Sequence, residues 1–106
     1  MLFAGTAMAQ LSGTYTINSG AATSGTNYAS FTAFATAING VGVSGPVTVN
    51  VATGSGPYSE SVTFTASGTA TNTVSINGNG ETIISSSSSV VALNGSDYFT
   101  FDNLNV

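Results

Sequence analysis

The 106-residue chain has no lysine, arginine, histidine, cysteine or tryptophan, two prolines, and four charged side chains: Glu60, Glu81, Asp97 and Asp102. Each absence closes off a class of function. Duplex nucleic acid is held by lysine and arginine neutralising phosphates, so a chain of net charge -4 without one cation repels it. The same lack excludes a basic helix lying on a membrane surface, and no apolar run approaches the roughly 18 residues that a spanning helix requires. With no cysteine, nothing is stapled by a disulfide, and stability must come from hydrogen-bond ladders and apolar burial.

Small polar residues take the place of charge: 16 Ser, 16 Thr, 10 Asn and 13 Gly. Hydrophobic residues still make up 42% of the chain, too many for a disordered tract, and many are β-branched or aromatic. A folded, β-rich domain is expected. The first nine residues, MLFAGTAMA, close on Ala7-Met8-Ala9, the small-x-small pattern cut by signal peptidase. Residues 1–9 are therefore expected to be a signal-peptide remnant of an exported protein, with the mature chain starting at Gln10.

Along the chain, alternation of Leu11, Gly13, Tyr15 and Ile17 predicts a first strand, followed by a Gly/Ser/Ala linker over residues 19–25. From Asn27 the period changes to 3.6, with Tyr28, Phe31, Phe34, Ala35 and Ile38 on one face. This predicts one amphipathic helix of about three turns, capped by Thr26 or Asn27 and stopped at Asn39-Gly40. Its apolar face reads as core. Its expected task is to lie across and cap the first coil of a strand array, because bare strand edges invite aggregation.

Beyond Pro46 a pattern recurs: Val47-Thr48-Val49-Asn50, Val74-Ser75-Ile76-Asn77 and Phe99-Thr100-Phe101-Asp102. The spacings, 74 − 47 = 27 and 99 − 74 = 25, indicate stacked units laid side by side in parallel. Further short strands are expected within residues 61–65, 82–85 and 90–94, and the Asn and Asp positions are expected to stack and hydrogen-bond between layers. The fold class expected is an all-β solenoid, a right-handed parallel β-helix of two to three coils with one N-terminal capping α-helix. Residues 10–46 would form the opening strand, linker and capping helix, and residues 47–106 the opening coils. An antiparallel sandwich is the rival, since four Asn-Gly pairs, at Asn39, Asn77, Asn79 and Asn94, are ordinarily hairpin signals. The recurring pattern favours the solenoid.

The succession Gly13-Thr14-Tyr15-Thr16-Ile17, Asn27-Tyr28-Ala29-Ser30-Phe31, Gly42 through Val51 and Leu93 through Asp102 resembles the opening of right-handed β-helix proteins of the pectin-lyase-like fold. Those proteins are surface or secreted products of bacteria with a type IX secretion route. The resemblance implies a secreted or cell-surface location, a helix that caps the first coil, and downstream β-helix coils of the same polypeptide as neighbours. On that reading the chain is a fragment.

Candidate chemistry is sparse. Gly40-Val41-Gly42-Val43-Ser44-Gly45 fits G-x-G-x-x-G, but a dinucleotide fingerprint follows a strand and opens a helix, and this one does the reverse. A lyase or glycosidase site needs a basic residue with calcium carboxylates, or paired acids, and neither converges here. No catalytic residue and no cofactor is assigned. Asp97 and Asp102 are candidate calcium ligands as oxygen donors close in sequence, although their opposite parity on a strand points them to opposite faces. Glu60 and Glu81 read as solvated acids near turns. Tyr58 and Tyr98 are expected to face outward and to stack on sugar rings. The function expected is a structural or adhesive module of a secreted or cell-surface bacterial protein, contacting extracellular glycans. The alternative is the N-terminal cap and first coils of a polysaccharide lyase or glycoside hydrolase with its active site elsewhere.

Overall fold

The alternation of Leu11 and Ile17 about polar neighbours produces strand β1 (Leu11–Ile17), with both side chains buried. A computed structural model describes residues 10–87 and 89–106, and the signal-peptide remnant assigned to residues 1–9 lies outside them. The chain continues through β2 (Asn27–Tyr28), helix α1 (Phe31–Val41) and β3 (Val43–Val51). Then come β4 (Tyr58–Ser59), β5 (Val62–Phe64), β6 (Val74–Asn77), β7 (Ile83–Ile84), β8 (Val91–Leu93) and β9 (Phe99–Asp102).

These strands form one five-stranded parallel sheet in the order β2-β1-β3-β6-β9, and two parallel pairs, β4-β7 and β5-β8. The recurring four-residue pattern supplies the lateral pairing of the large sheet. Val47 is in register with Val74 and Val74 with Phe99; Val49 stands beside Ile76, and Ile76 beside Phe101. Alternation puts these residues on one face, where Val47, Val49, Val74 and Ile76 are buried. The Asn-Gly pairs make no hairpin between these strands: Asn39-Gly40 lies inside α1, and the others occupy bends at strand ends. The expected hydrogen bonding between stacked amides is replaced by local capping at Asn77, whose Oδ1 accepts the Asn79 amide at 3.1 Å.

Helix α1 begins later than its periodicity suggested. Asn27 and Tyr28 pair with Thr16 and Ile17 as β2, and the Asn27 carboxamide is engaged by the Thr16 hydroxyl and by the carbonyls of Asn18, Ala21 and Ala22. Asn27 is therefore not available as a cap. Ser30, in extended backbone, takes that role and accepts from the Ala33 amide at 2.9 Å. The helix runs through Asn39-Gly40 and stops at Gly42, whose φ of 73° suits a residue without Cβ and whose N–H donates to Ile38 at 2.8 Å. Asn39 turns sideways instead: its Nδ2 donates to Thr63 and its Oδ1 accepts from Thr65 and Ala66, tying the helix to β5.

The core corrects the expected fold class. Helix residues Phe31, Phe34, Ala35 and Ile38 are 4 of the 16 buried hydrophobics, and α1 packs on β5, β1 and β2. Aromatic contacts run from Tyr28 to Phe34 (5.5 Å), Phe34 to Phe64 (6.0 Å) and Phe64 to Phe99 (5.3 Å), so the helix is joined to the strands by its ring stack. The Cα radius of gyration is 13.7 Å, close to the roughly 13 Å of a compact domain this long. The described chain is thus a small α/β unit, with one helix, a dominant five-stranded parallel sheet and two minor pairs. It is not an all-β solenoid, and neither the parallel β-helix coils expected from the repeat nor the pectin-lyase-like fold that the resemblance implied describes it. The repeat spacing was correctly a sign of parallel pairing, but it carried no information about the helix, which supplies part of the core.

Candidate carbohydrate-contact surface

Of the two tyrosines expected to face solvent, the fold exposes one. Tyr58 follows the cis Gly56-Pro57 bond and begins β4, where it shares parity with the inward Val62 and Phe64. It is buried at 4% exposure, with its ring edge-on to Phe31 at 5.1 Å. Its hydroxyl donates to Ser55 Oγ at 2.7 Å and accepts from the Ser19 amide at 3.2 Å. Tyr58 is a core residue that stitches the β3–β4 connection to the end of β1, and the sugar-contact role expected of it is withdrawn.

Tyr98 is 53% exposed. Its φ of 61° is uncommon for an aromatic residue, and the surrounding hydrogen bonds hold it. The Val74 amide donates to the Tyr98 carbonyl at 2.9 Å, Gly68 donates to the Asp97 carbonyl at 3.0 Å, and the Asp97 amide donates to Ser67 Oγ at 2.9 Å. One residue earlier, Ser96 Oγ donates to the Phe64 carbonyl at 2.9 Å. The ring therefore projects from a backbone fastened to the start of β6 on one side and to residues 64–68 on the other.

Gly68 makes this arrangement possible. A Cβ there would lie 2.5 Å from the Asn72 carbonyl and 3.3 Å from Tyr98 Cβ, so Asn72, Asp97 and Tyr98 converge over a position that only glycine fits. The adjoining turn is closed by Thr69 and Asn72, which exchange backbone hydrogen bonds, with Thr69 Oγ1 also accepting from the Asn72 amide at 3.0 Å. The result is a half-exposed aromatic ring on a stretch of chain where the Asp97 and Thr69 side chains are also exposed. A tyrosine ring can stack on the C–H face of a sugar while such groups bind its hydroxyls.

Asp97 and Asp102 are both exposed, and the described residues contain no group of three or more His, Cys, Asp or Glu side chains placed to hold a metal ion. The G-x-G-x-x-G run spans the end of α1 and the start of β3. No helix of the described residues is long and apolar enough to cross a membrane.

No family model, curated protein or solved structure matches this chain.

The two glutamates, expected to be solvated, are bound to backbone. Glu60, between β4 and β5, receives the amides of Phe31 (3.0 Å) and Thr32 (2.8 Å) and the Thr32 hydroxyl, so its carboxylate sits on the N-terminus of α1. Glu81 receives the amides of Gly54 (2.9 Å) and Gly56 (2.8 Å). Those two hydrogen bonds hold the Glu81 carboxyl below the usual glutamate range. Tyr28, buried among aromatics, has its phenol pushed above the usual value by burial and, secondarily, by neighbouring Tyr15. Sequence reasoning missed both glutamate roles, although one signal was available: in a chain without cations a carboxylate has only N–H and O–H groups to pair with.

Proposed function

We propose that this chain is a structural, adhesive module of an exported or cell-surface protein, and that it contacts extracellular glycans through the surface around Tyr98 without catalysing a reaction. The observation that carries this reading is the half-exposed Tyr98 ring on a fastened backbone, where its Cβ and the backbone carbonyls of Asp97 and Asn72 meet over Gly68. Two of the four carboxylates also serve the scaffold: Glu60 caps a helix and Glu81 clamps a loop. One ring with a few polar neighbours supports a contact of about millimolar affinity, near -4 kcal/mol. Adhesion then depends on many copies engaging one surface.

A glycan array with the chain displayed multivalently tests the proposal, followed by NMR titration of the strongest hit. Tyr98→Asn, which retains a side chain tolerant of positive φ, should abolish retention while leaving the far-UV circular dichroism unchanged. Equal retention by Tyr98→Asn, or no retained glycan at all, rejects the site. Reducing-sugar release from a polysaccharide by this chain rejects the non-catalytic part. Recovery of the protein in the cytoplasmic fraction of its native cells rejects the location.

A further inference from the structure

The five-stranded sheet ends on β9 and the β5-β8 pair on β8, and in both the inward-facing residues become more exposed toward that end, whereas Ile83 of β7 stays buried with Asn105 paired along it. Val74 and Ile76 are 0% and 1% exposed, whereas Phe99 and Phe101, one strand further out, are only partly buried. Likewise Val62 and Phe64 are 3% and 0% exposed, while their partners are a partly buried Val91 and a Leu93 exposed to 47%. The opposite end differs: β1 has neighbours on both sides, the edge strand β2 has two residues, and α1 packs on both. Among the described residues, β9 and β8 therefore present one apolar, unpaired edge, and the opposite edge of the large sheet offers only the two-residue β2.

We propose that this end binds a second copy of the chain across a two-fold axis at Thr100, with the two β9 strands antiparallel. Two independent features of β9 fit that register. The Val74 amide donates to the Tyr98 carbonyl and the Gly78 amide to the Asp102 carbonyl, so the even-numbered residues of β9 face β6. By alternation, the N–H and C=O groups of Phe99 and Phe101 face the open edge. Centring the pair on Thr100 sets Phe99 opposite Phe101 of the other copy, so these edge groups form both hydrogen-bonded pairs. Phe99-Thr100-Phe101 is also symmetric about Thr100, so phenylalanine meets phenylalanine inside and threonine meets threonine outside. Asp102 falls opposite Tyr98 rather than opposite another acid, which avoids a like-charge pair in a chain that has no cation to relieve one. With one sticky end per molecule the assembly closes at two copies.

Sedimentation equilibrium from 10 µM to 1 mM should show a reversible monomer–dimer equilibrium and nothing larger. Thr100→Glu, at an exposed position, should weaken the dimer at least tenfold by setting two carboxylates side by side. Thr100→Cys introduces the chain's one thiol, at a pair whose Cα atoms stand about 4.5 Å apart, within disulfide reach. It should give a disulfide-linked dimer under mild oxidation much faster than Thr63→Cys, an exposed control on β5. A wild-type chain that stays monomeric to 1 mM, or grows into larger oligomers, overturns the proposal. So does equal cross-linking of the two cysteine variants.

Discussion

Replacing Glu60 should unfasten the start of α1, at a cost that can be worked out from its contacts. The first four amides of a helix lack intrahelical partners. Here Ser30 Oγ takes that of Ala33, while Glu60 takes those of Phe31 and Thr32 and also the Thr32 hydroxyl. The carboxylate lies at the positive end of the helix dipole, worth about 0.3–1 kcal/mol in an exposed setting. Losing a side-chain cap costs about 1 kcal/mol, and hydrogen bonds to charged groups run somewhat higher than neutral ones. Water can replace Glu60 at the exposed Thr32 amide more readily than at the half-buried Phe31 amide. Together these place Glu60→Ala at about 2 kcal/mol of destabilisation, and Glu60→Gln, which keeps an acceptor but loses the charge, at about 1 kcal/mol. At about 4–8 °C per kcal/mol for a domain this size, the alanine variant should melt about 10 °C lower. Urea unfolding followed by far-UV circular dichroism measures the change, and an unaltered m-value would show that the folded and unfolded states keep their exposed areas. A Glu60→Ala variant within about 0.5 kcal/mol of wild type would refute the capping argument.

Three further perturbations test the packing and the second clamp. Gly78→Ala would bring a Cβ to 2.6 Å from the Asn103 carbonyl and Leu104 Cα, so backbone must move, and the variant should lose about 1–3 kcal/mol. Gly40→Ala, in the last turn of α1 with nothing within 4 Å of its new Cβ, should gain about 0.5–1 kcal/mol; urea midpoints of the same or reversed order would contradict the assigned close approach. The Glu81 clamp has a pH signature. Its pKa is lowered in the fold, so its contribution is present above the unfolded glutamate value of about 4.5 and is lost as pH falls through the lower folded value. Hydrogen-exchange protection and chemical shifts of the Gly54 and Gly56 amides should change only in that acid range, and Glu81→Gln should remove the change.

Legibility in the sequence followed how local each determinant was. Strand β1, the pairing of Val47, Val74 and Phe99, and the apolar face of α1 could be read because each needs only side-chain period. The start of α1 could not, because Asn27 had two competing uses: its segment pairs with β1, and that long-range contact outweighs its value as a cap. The fold class failed for a related reason. A spacing of 25 to 27 residues specifies which strands lie side by side, and does not say whether the helix only covers an end of them or, as here, packs on β1, β2 and β5 with Phe31, Phe34 and Ile38 in the common core. Tyr58 was misplaced although its parity with Val62 and Phe64 pointed inward, because an aromatic residue after proline among serines looks like surface.

The absence of cations links the fold to the candidate site. In an ordinary domain a surface glutamate near a turn pairs with lysine or arginine, and such pairs are worth little. Here that outlet does not exist, so Glu60 and Glu81 find convergent backbone amides, Glu60 joining the β4–β5 connection to α1 and Glu81 joining the β6–β7 connection to the β3–β4 connection. These bonds take the place of surface ion pairs and disulfides in fixing the connections between strands. The remaining acids, Asp97 and Asp102, lie beside and in the edge strand β9 and are exposed, Asp97 one residue before the exposed Tyr98. Carboxylates bound to the scaffold strengthen it without binding anything else, whereas those left at the edge remain available to a ligand or a second molecule. The part of the surface suited to recognition is therefore the part where the scaffold has not already engaged its acids.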